Sequence, residues 1–97
     1  MSRRIRYKFR IYVADNTQNS EQAVVNLTAF CRQHLPGQHE IEIVDVFREP
    51  KRALADGIFL TPTLVKLSPS PVRKIIGTLS QVGPILQALG LEMEAAA

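Results

Sequence analysis

The pattern of periodicities predicts an α/β domain with a mixed sheet, in the order β-α-β-α-β-β-α. Three observations carry that prediction. "RYKFRIYV", residues 6 to 13, alternates basic and apolar side chains with the period of two that a half-buried strand requires. Val24, Leu27, Cys31 and Leu35 recur at helical spacing. The link Ser68-Pro69-Ser70-Pro71, between "LTPTLVKL" and "VRKIIG", is too short to join two strands in any way but as an antiparallel hairpin.

In the first strand Tyr7, Phe9, Ile11 and Val13 share one face, and Arg6, Lys8 and Arg10 the other. The polar stretch "ADNTQNS" follows, rich in residues that bond their own backbone. Asn19 with Gln22 three residues on has the form of a capping box, which predicts a helix from near Ser20. Ala23 and Phe30 broaden its apolar stripe, and Pro36-Gly37 ends it. "HEIEIVDV", residues 39 to 46, is a second strand, and the intervening helix suits a right-handed parallel crossover from the first. If the two strands are neighbours, Glu40 and Glu42 lie beside Arg6, Lys8 and Arg10, which explains much of the basic stripe without a ligand. "FREPKRALADG" reads as a short helix, with Pro50 in its first turn and Gly57 at its left-handed end. After the hairpin, Ser80 or Gly83 caps a last helix starting near Pro84, with Ile85, Leu86, Leu89 and Met93 on its apolar face.

Pro62 stands directly before Thr63-Leu64-Val65, a strong strand signal. Proline removes a ladder donor, so Pro62 belongs at a strand's first residue or at a special turn, with a cis bond as one form. The 97 residues suit one domain, with a core over about 5–91 and a flexible tail at 92–97. No apolar run approaches the ~20 residues that span a bilayer, and no signal-peptide core follows the basic start. A cytoplasmic protein without membrane contact is expected. The net charge of +3 is concentrated in Arg3, Arg4, Arg6, Lys8 and Arg10, but only Tyr12 interleaves an aromatic with that stripe, and no nucleic-acid motif is present. Nucleic acid is therefore not expected as a partner.

Catalysis needs a nucleophile or a tuned acid and base in one cleft. The single cysteine, Cys31, sits on the apolar stripe of the first helix, where a thiol behaves as a small hydrophobe. His34 and His39 flank the Pro36-Gly37 turn without a third ligand, and Asp15 and Asp45 suit turn or cap positions. No glycine-rich phosphate loop occurs. The expectation is no catalytic residue, no metal and no cofactor.

The element order is similar to the thioredoxin fold, and Thr61-Pro62 falls where that family keeps a cis-proline. The position of its Cys-x-x-Cys, however, holds Asp15-Asn16-Thr17-Gln18-Asn19-Ser20, which speaks against a thioredoxin-fold redox protein. More specifically, "YVADNTQNS", "IVDVFREP", "TPTLVK" and "PVRKIIGTLS" together resemble the KaiB family, from about Tyr7 to Leu91. A related sensor domain begins the histidine kinase SasA, and a SasA-type interaction module is the alternative. The resemblance implies a non-enzymatic adaptor that docks on the N-terminal ATPase ring of a KaiC-like hexamer, in competition with such a kinase, with output to a clock or to stress adaptation. It also implies metamorphosis: a tetrameric ground-state fold with a rearranged C-terminal half exchanges with a thioredoxin-like monomer, so a homo-dimer or homo-tetramer is among the expected states. Tyr7 matches a tyrosine associated with ground-state packing, although its alternation with Phe9 and Ile11 suits the core. Ala88 and Gly90 stand where the family usually has Gly and Asp. Ala88 inside a helix favours it by roughly 1 kcal/mol over glycine, while Pro84 and Gly90 oppose it. Glu40 and Glu42 replace a small residue and a lysine on the edge associated with KaiA, and a charge reversal there speaks against KaiA as a partner.

For docking, the expected residues are Arg48, Lys51 and Arg52 around the short second helix and Lys66, Arg73 and Lys74 along the hairpin, with Asn16 and Gln18 as weaker candidates. Adjacent Arg73 and Lys74 should point to opposite sheet faces.

Overall fold

The structure, a computed structural model, describes residues 6–15 and 17–90. Four strands and three helices alternate in the expected order: β1 (Tyr7–Val13), α1 (Gln18–His34), β2 (His39–Asp45), α2 (Pro50–Ala55), β3 (Thr63–Ser68), β4 (Arg73–Ile76) and α3 (Val82–Ala88). The sheet order is β2-β1-β3-β4. β1 pairs parallel with β2 in the register Lys8 to Glu40 and Arg10 to Glu42, which brings the basic stripe against the acidic one. It pairs antiparallel with β3, whose other neighbour is the antiparallel β4.

Two apolar clusters follow from the alternation along β1. Tyr7, Phe9, Ile11 and Val13 pack with Leu64 of β3 against Ala23, Leu27, Phe30 and Cys31 of α1 and Ile85 and Leu86 of α3. On the opposite face Tyr12, Val44 and Val65 pack against Ala53 of α2 and against Ile58. The molecule is thus a sheet with α1 and α3 on one side and the short α2 alone on the other. Burial of each large aliphatic side chain contributes about 1.5–3 kcal/mol, and most of that lies on the α1/α3 side.

Three local expectations need correction. α1 starts at Gln18, two residues before the expected Ser20, because Thr17 and not Asn19 is its cap; the Thr17 hydroxyl accepts from the Ser20 amide. Ser20 itself is buried inside the first turn, where its hydroxyl accepts from the Ala14 amide at 3.0 Å and ties the helix to the end of β1. α3 starts at Val82 with Gln81 as a cap that makes no side-chain bond, so neither Ser80 nor Gly83 caps it. Finally, Pro84 and Gly90 do not oppose α3. Pro84 lies in the first turn, where no helical donor is lost. Gly90 follows the helix in left-handed conformation at φ +75°, and its amide bonds the Gln87 carbonyl, which closes the helix end.

Pro62 is buried and the Thr61–Pro62 bond is cis, immediately before β3, as the cis alternative expected. Ser68–Pro69 and Ser70–Pro71 in the hairpin link are cis as well.

Candidate functional site

A network of charge joins α2 to the sheet. The Arg10 Nε lies 2.9 Å from Glu42 Oε1, and its Nη1 lies 3.1 Å from Asp56 Oδ2, just beyond α2. Arg52 of α2 reaches the other Glu42 oxygen at 2.8 Å and Glu49 at 3.1 Å. Beneath these, the fully buried Tyr12 donates its hydroxyl to the Asp56 carboxylate. Hydrogen bonds from Arg10 and then Arg52 hold the Glu42 carboxyl below the usual range. The Tyr12 hydroxyl and, less strongly, Arg10 do the same for Asp56 against the opposing effect of burial. Burial in turn pushes the Tyr12 phenol up, reinforced by the Asp56 charge. Tyr12, the one aromatic that interleaves the basic stripe, is therefore a buried strut and not part of an exposed nucleic-acid face.

α2 and the residues that flank it in the chain carry exposed apolar side chains. α2 buries only Ala53, which leaves Leu54 72% exposed. Phe47 before the helix and Phe59 and Leu60 after it are also exposed, Phe59 by 87%. Arg48 and Lys51 stand exposed beside them. This apolar component was absent from the sequence-based expectation. The available signal was Phe59, which lies between the expected end of the second helix at Gly57 and the expected third strand and belongs to neither.

The other expected residues divide. Arg52 is engaged by Glu42 and Glu49. Lys74 and Arg73 do point to opposite faces: Lys74 pairs across the ladder with Val65 and donates to the Asp56 carbonyl, whereas Arg73 pairs with Lys66. Lys66 is not a solvated hairpin cation; it is 3% exposed, and burial, then the charge of Arg73, lowers its pKa. Gln18 is exposed in the first turn of α1, while Asn16 lies outside the described residues. Tyr7 is buried in the α1-side core, with the Arg6 guanidinium 5.7 Å from its ring centre. Ala88 is the last residue of α3.

Cys31 is buried, and burial pushes its thiol up to about 12. His34 packs on the Phe30 ring at 4.6 Å, and His39 Nδ1 lies 2.8 Å from the Leu35 carbonyl, so the two rings have separate partners. Asp45 caps the turn into α2 by accepting from the Phe47 amide at 2.8 Å. Among the described residues no group of three His, Cys, Asp or Glu side chains could hold a metal ion, and no helix is long and apolar enough to cross a membrane.

The fold defined by this sheet and the cis-proline before β3 is thioredoxin-like. The chain superposes on the N-terminal domain of SasA from Synechococcus elongatus with a TM-score of 0.73 at 17% identity, over 93% of this chain and 89% of that one. Chloroplastic thioredoxin z aligns with a TM-score of 0.71 at 16% identity, over 90% and 80% of the two chains. Sequence narrows the class. Residues 10–91 match the KaiB domain. The chain is 39% identical to the circadian clock protein KaiB3 of Synechocystis sp., over 91% of this chain and 84% of the relative. It is 42% identical to the circadian clock oscillator protein KaiB of Cyanothece sp., over the same shares. The chain belongs to the KaiB family.

Proposed function

We propose that the chain is a non-enzymatic docking module of the KaiB type, which binds the ATPase ring of a KaiC-like hexamer in the cytoplasm and regulates its signalling to a clock or to stress adaptation. The observation that carries this reading is the KaiB domain match over residues 10–91, together with relatives named as circadian clock proteins. The thioredoxin-like shape shared with the SasA domain supports a kinase of that type as competitor for the same ring surface.

The docking face in this reading is centred on α2. Exposed Phe59, Leu60, Leu54 and Phe47 supply desolvation energy, and Arg48 and Lys51 supply attraction to acidic groups on the ring. Lys74, on the same sheet face as α2, flanks it on the hairpin, whereas Arg73 and the buried Lys66 lie on the opposite face and are left out of it; Gln18, exposed in the first turn of α1, and Asn16, which lies outside the described residues, are secondary candidates. Arg52 contributes by holding α2 in place, since its guanidinium already has two carboxylate partners. KaiA is not a partner in this reading: the β2 edge displays Glu40, and Glu42 is committed to Arg10 and Arg52. Dimers or tetramers belong to the alternative ground-state packing.

The test is co-elution of purified protein with the KaiC homologue of the same cell, in ATP and in ADP. Association in at least one nucleotide state, weakened by added salt, is expected. A Phe59→Ser variant should bind at least ten-fold more weakly with an unchanged melting temperature, because Phe59 has almost no intramolecular burial to lose. Absence of association in both states would remove the reading.

A further inference from the structure

Asp56, the residue that ends α2, is bonded from β1, from β4 and from within the helix. Its carboxylate accepts from Arg10 Nη1 at 3.1 Å and from the Tyr12 hydroxyl, both on β1. Its carbonyl accepts from Lys74 Nζ on β4, and its amide donates to the Arg52 carbonyl at 3.1 Å. Gly57 keeps the lysine's approach open: a Cβ there would lie 3.3 Å from Lys74 Nζ, and its φ of +69° already favours glycine. Apolar packing alone would hold this corner weakly, because α2 buries only Ala53. Beyond Asp56 the chain carries Phe59 and Leu60 between two anchored ends. On the near side the Gly57 amide bonds the Leu54 carbonyl at 3.0 Å, and the amide of buried Ile58 bonds the Ala53 carbonyl at 2.9 Å. On the far side the Leu60 carbonyl accepts from the Thr63 hydroxyl at 2.6 Å, and Pro62 is buried. Phe59 is almost wholly exposed, so its place is set by this backbone and not by packing of its ring.

We propose that Asp56 is the positioning residue of the docking face: clasped by Arg10, Tyr12 and Lys74, it fixes the end of α2 and so the segment that presents Phe59 and Leu60. The inference rests on the reading of the α2 surface as that face. An aromatic anchor held in place before contact binds without the entropic cost of ordering it at the interface. Asp56 acts through the anchors and not by touching the partner. Tyr12 shares this role from a wholly buried position, where no partner can reach it. The charge network over the thin side of the sheet thereby acquires a function: it replaces the apolar packing that α2 lacks, and leaves Leu54, Phe59 and Leu60 free to face outward.

The experiment has two arms on the full chain, comparing wild type with Asp56→Asn, Tyr12→Phe, Phe59→Ser and the double variant Asp56→Asn/Phe59→Ser. The first arm is amide hydrogen exchange of the free protein. In Asp56→Asn and Tyr12→Phe the Gly57 and Ile58 amides should exchange about ten-fold faster while Ile11 and Leu64 keep wild-type rates, and Phe59→Ser should change none of them. The second arm is affinity for the KaiC homologue of the same cell, in a nucleotide state where wild type associates. Asp56→Asn and Tyr12→Phe should each bind about five-fold more weakly. The double variant should bind no more weakly than Phe59→Ser alone, because Asp56 acts through that ring; a general loss of stability would instead lower affinity by the same factor in both backgrounds. Unaltered exchange at Gly57 and Ile58, wild-type affinity in Asp56→Asn and Tyr12→Phe, or equal losses in the two backgrounds would overturn the inference and leave the docking reading standing. Failure of wild type to associate would remove the docking reading itself, and the exchange arm would still decide whether Asp56 holds the segment.

Discussion

Arg10 bonds two carboxylates at once, one on the neighbouring strand and one beyond α2, separated from it by 32 and 46 positions in the chain. Its partners give the protein an acid-side dependence whose sign is fixed. Glu42 and Asp56 both titrate below their ordinary values when folded. The stability they contribute is thus fully present above the unfolded carboxylate range, about pH 4, and is lost as pH falls through the lower folded values. Asp56→Asn should flatten the fall in urea midpoint between pH 5 and pH 3, while lowering the unfolding free energy at pH 7 by about 1 kcal/mol or less, since the ion pair is partly solvated. Tyr12→Phe should cost about 0.5–1.5 kcal/mol at pH 7, the value of one hydrogen bond to a partly buried partner. Cys31 gives a separate check. With its thiol held near 12 by burial, it should resist a thiol reagent at pH 8 in native buffer and react fully in urea. Rapid native labelling would contradict its position against the sheet.

At the scale of elements, the two ends of α3 decide a question that helix propensity alone answered differently. Ala88 is the final helical residue, so Ala88→Gly should cost less than the ~1 kcal/mol of an interior position. Gly90 has open space around it but φ +75°, so Gly90→Ala should cost about 1 kcal/mol from backbone conformation alone. Urea midpoints of the two variants should therefore rank Gly90→Ala as the more damaging, the reverse of what composition suggests. All seven elements were legible in the sequence because their periods are clear and their stops are strong: Pro36-Gly37, Gly57 and the Ser-Pro link. The start of α1 was not, because Thr17 and Asn19 are both capping types and the choice between them depends on Ser20 reaching the Ala14 amide from inside the first turn. The burial of Lys66 was available in principle, since it shares strand phase with Leu64. The Arg10–Asp56–Tyr12 group was not available, because no local pattern links positions more than forty residues apart.

For the whole molecule, layering separates tasks. The α1/α3 side holds the larger core, and the α2 side is thinner, with five buried residues and the ionic network above them. Disruption of the thin side should therefore be local. Ala53→Asp in α2 should abolish ring association while the amides of β1 and α1 keep their native NMR positions; global unfolding instead would show that α2 is needed for the core. The sheet order adds a last point. β1-α1-β2 and β3-β4-α3 meet through just one hydrogen-bonded ladder, that of β1 with β3, and its register already shifts between Lys8 and Phe9. Any departure of the C-terminal half toward a different packing must unzip that seam while the parallel β1–β2 pair remains whole, so exchange of the β1 amides facing β3 is the natural clock hand for such a rearrangement.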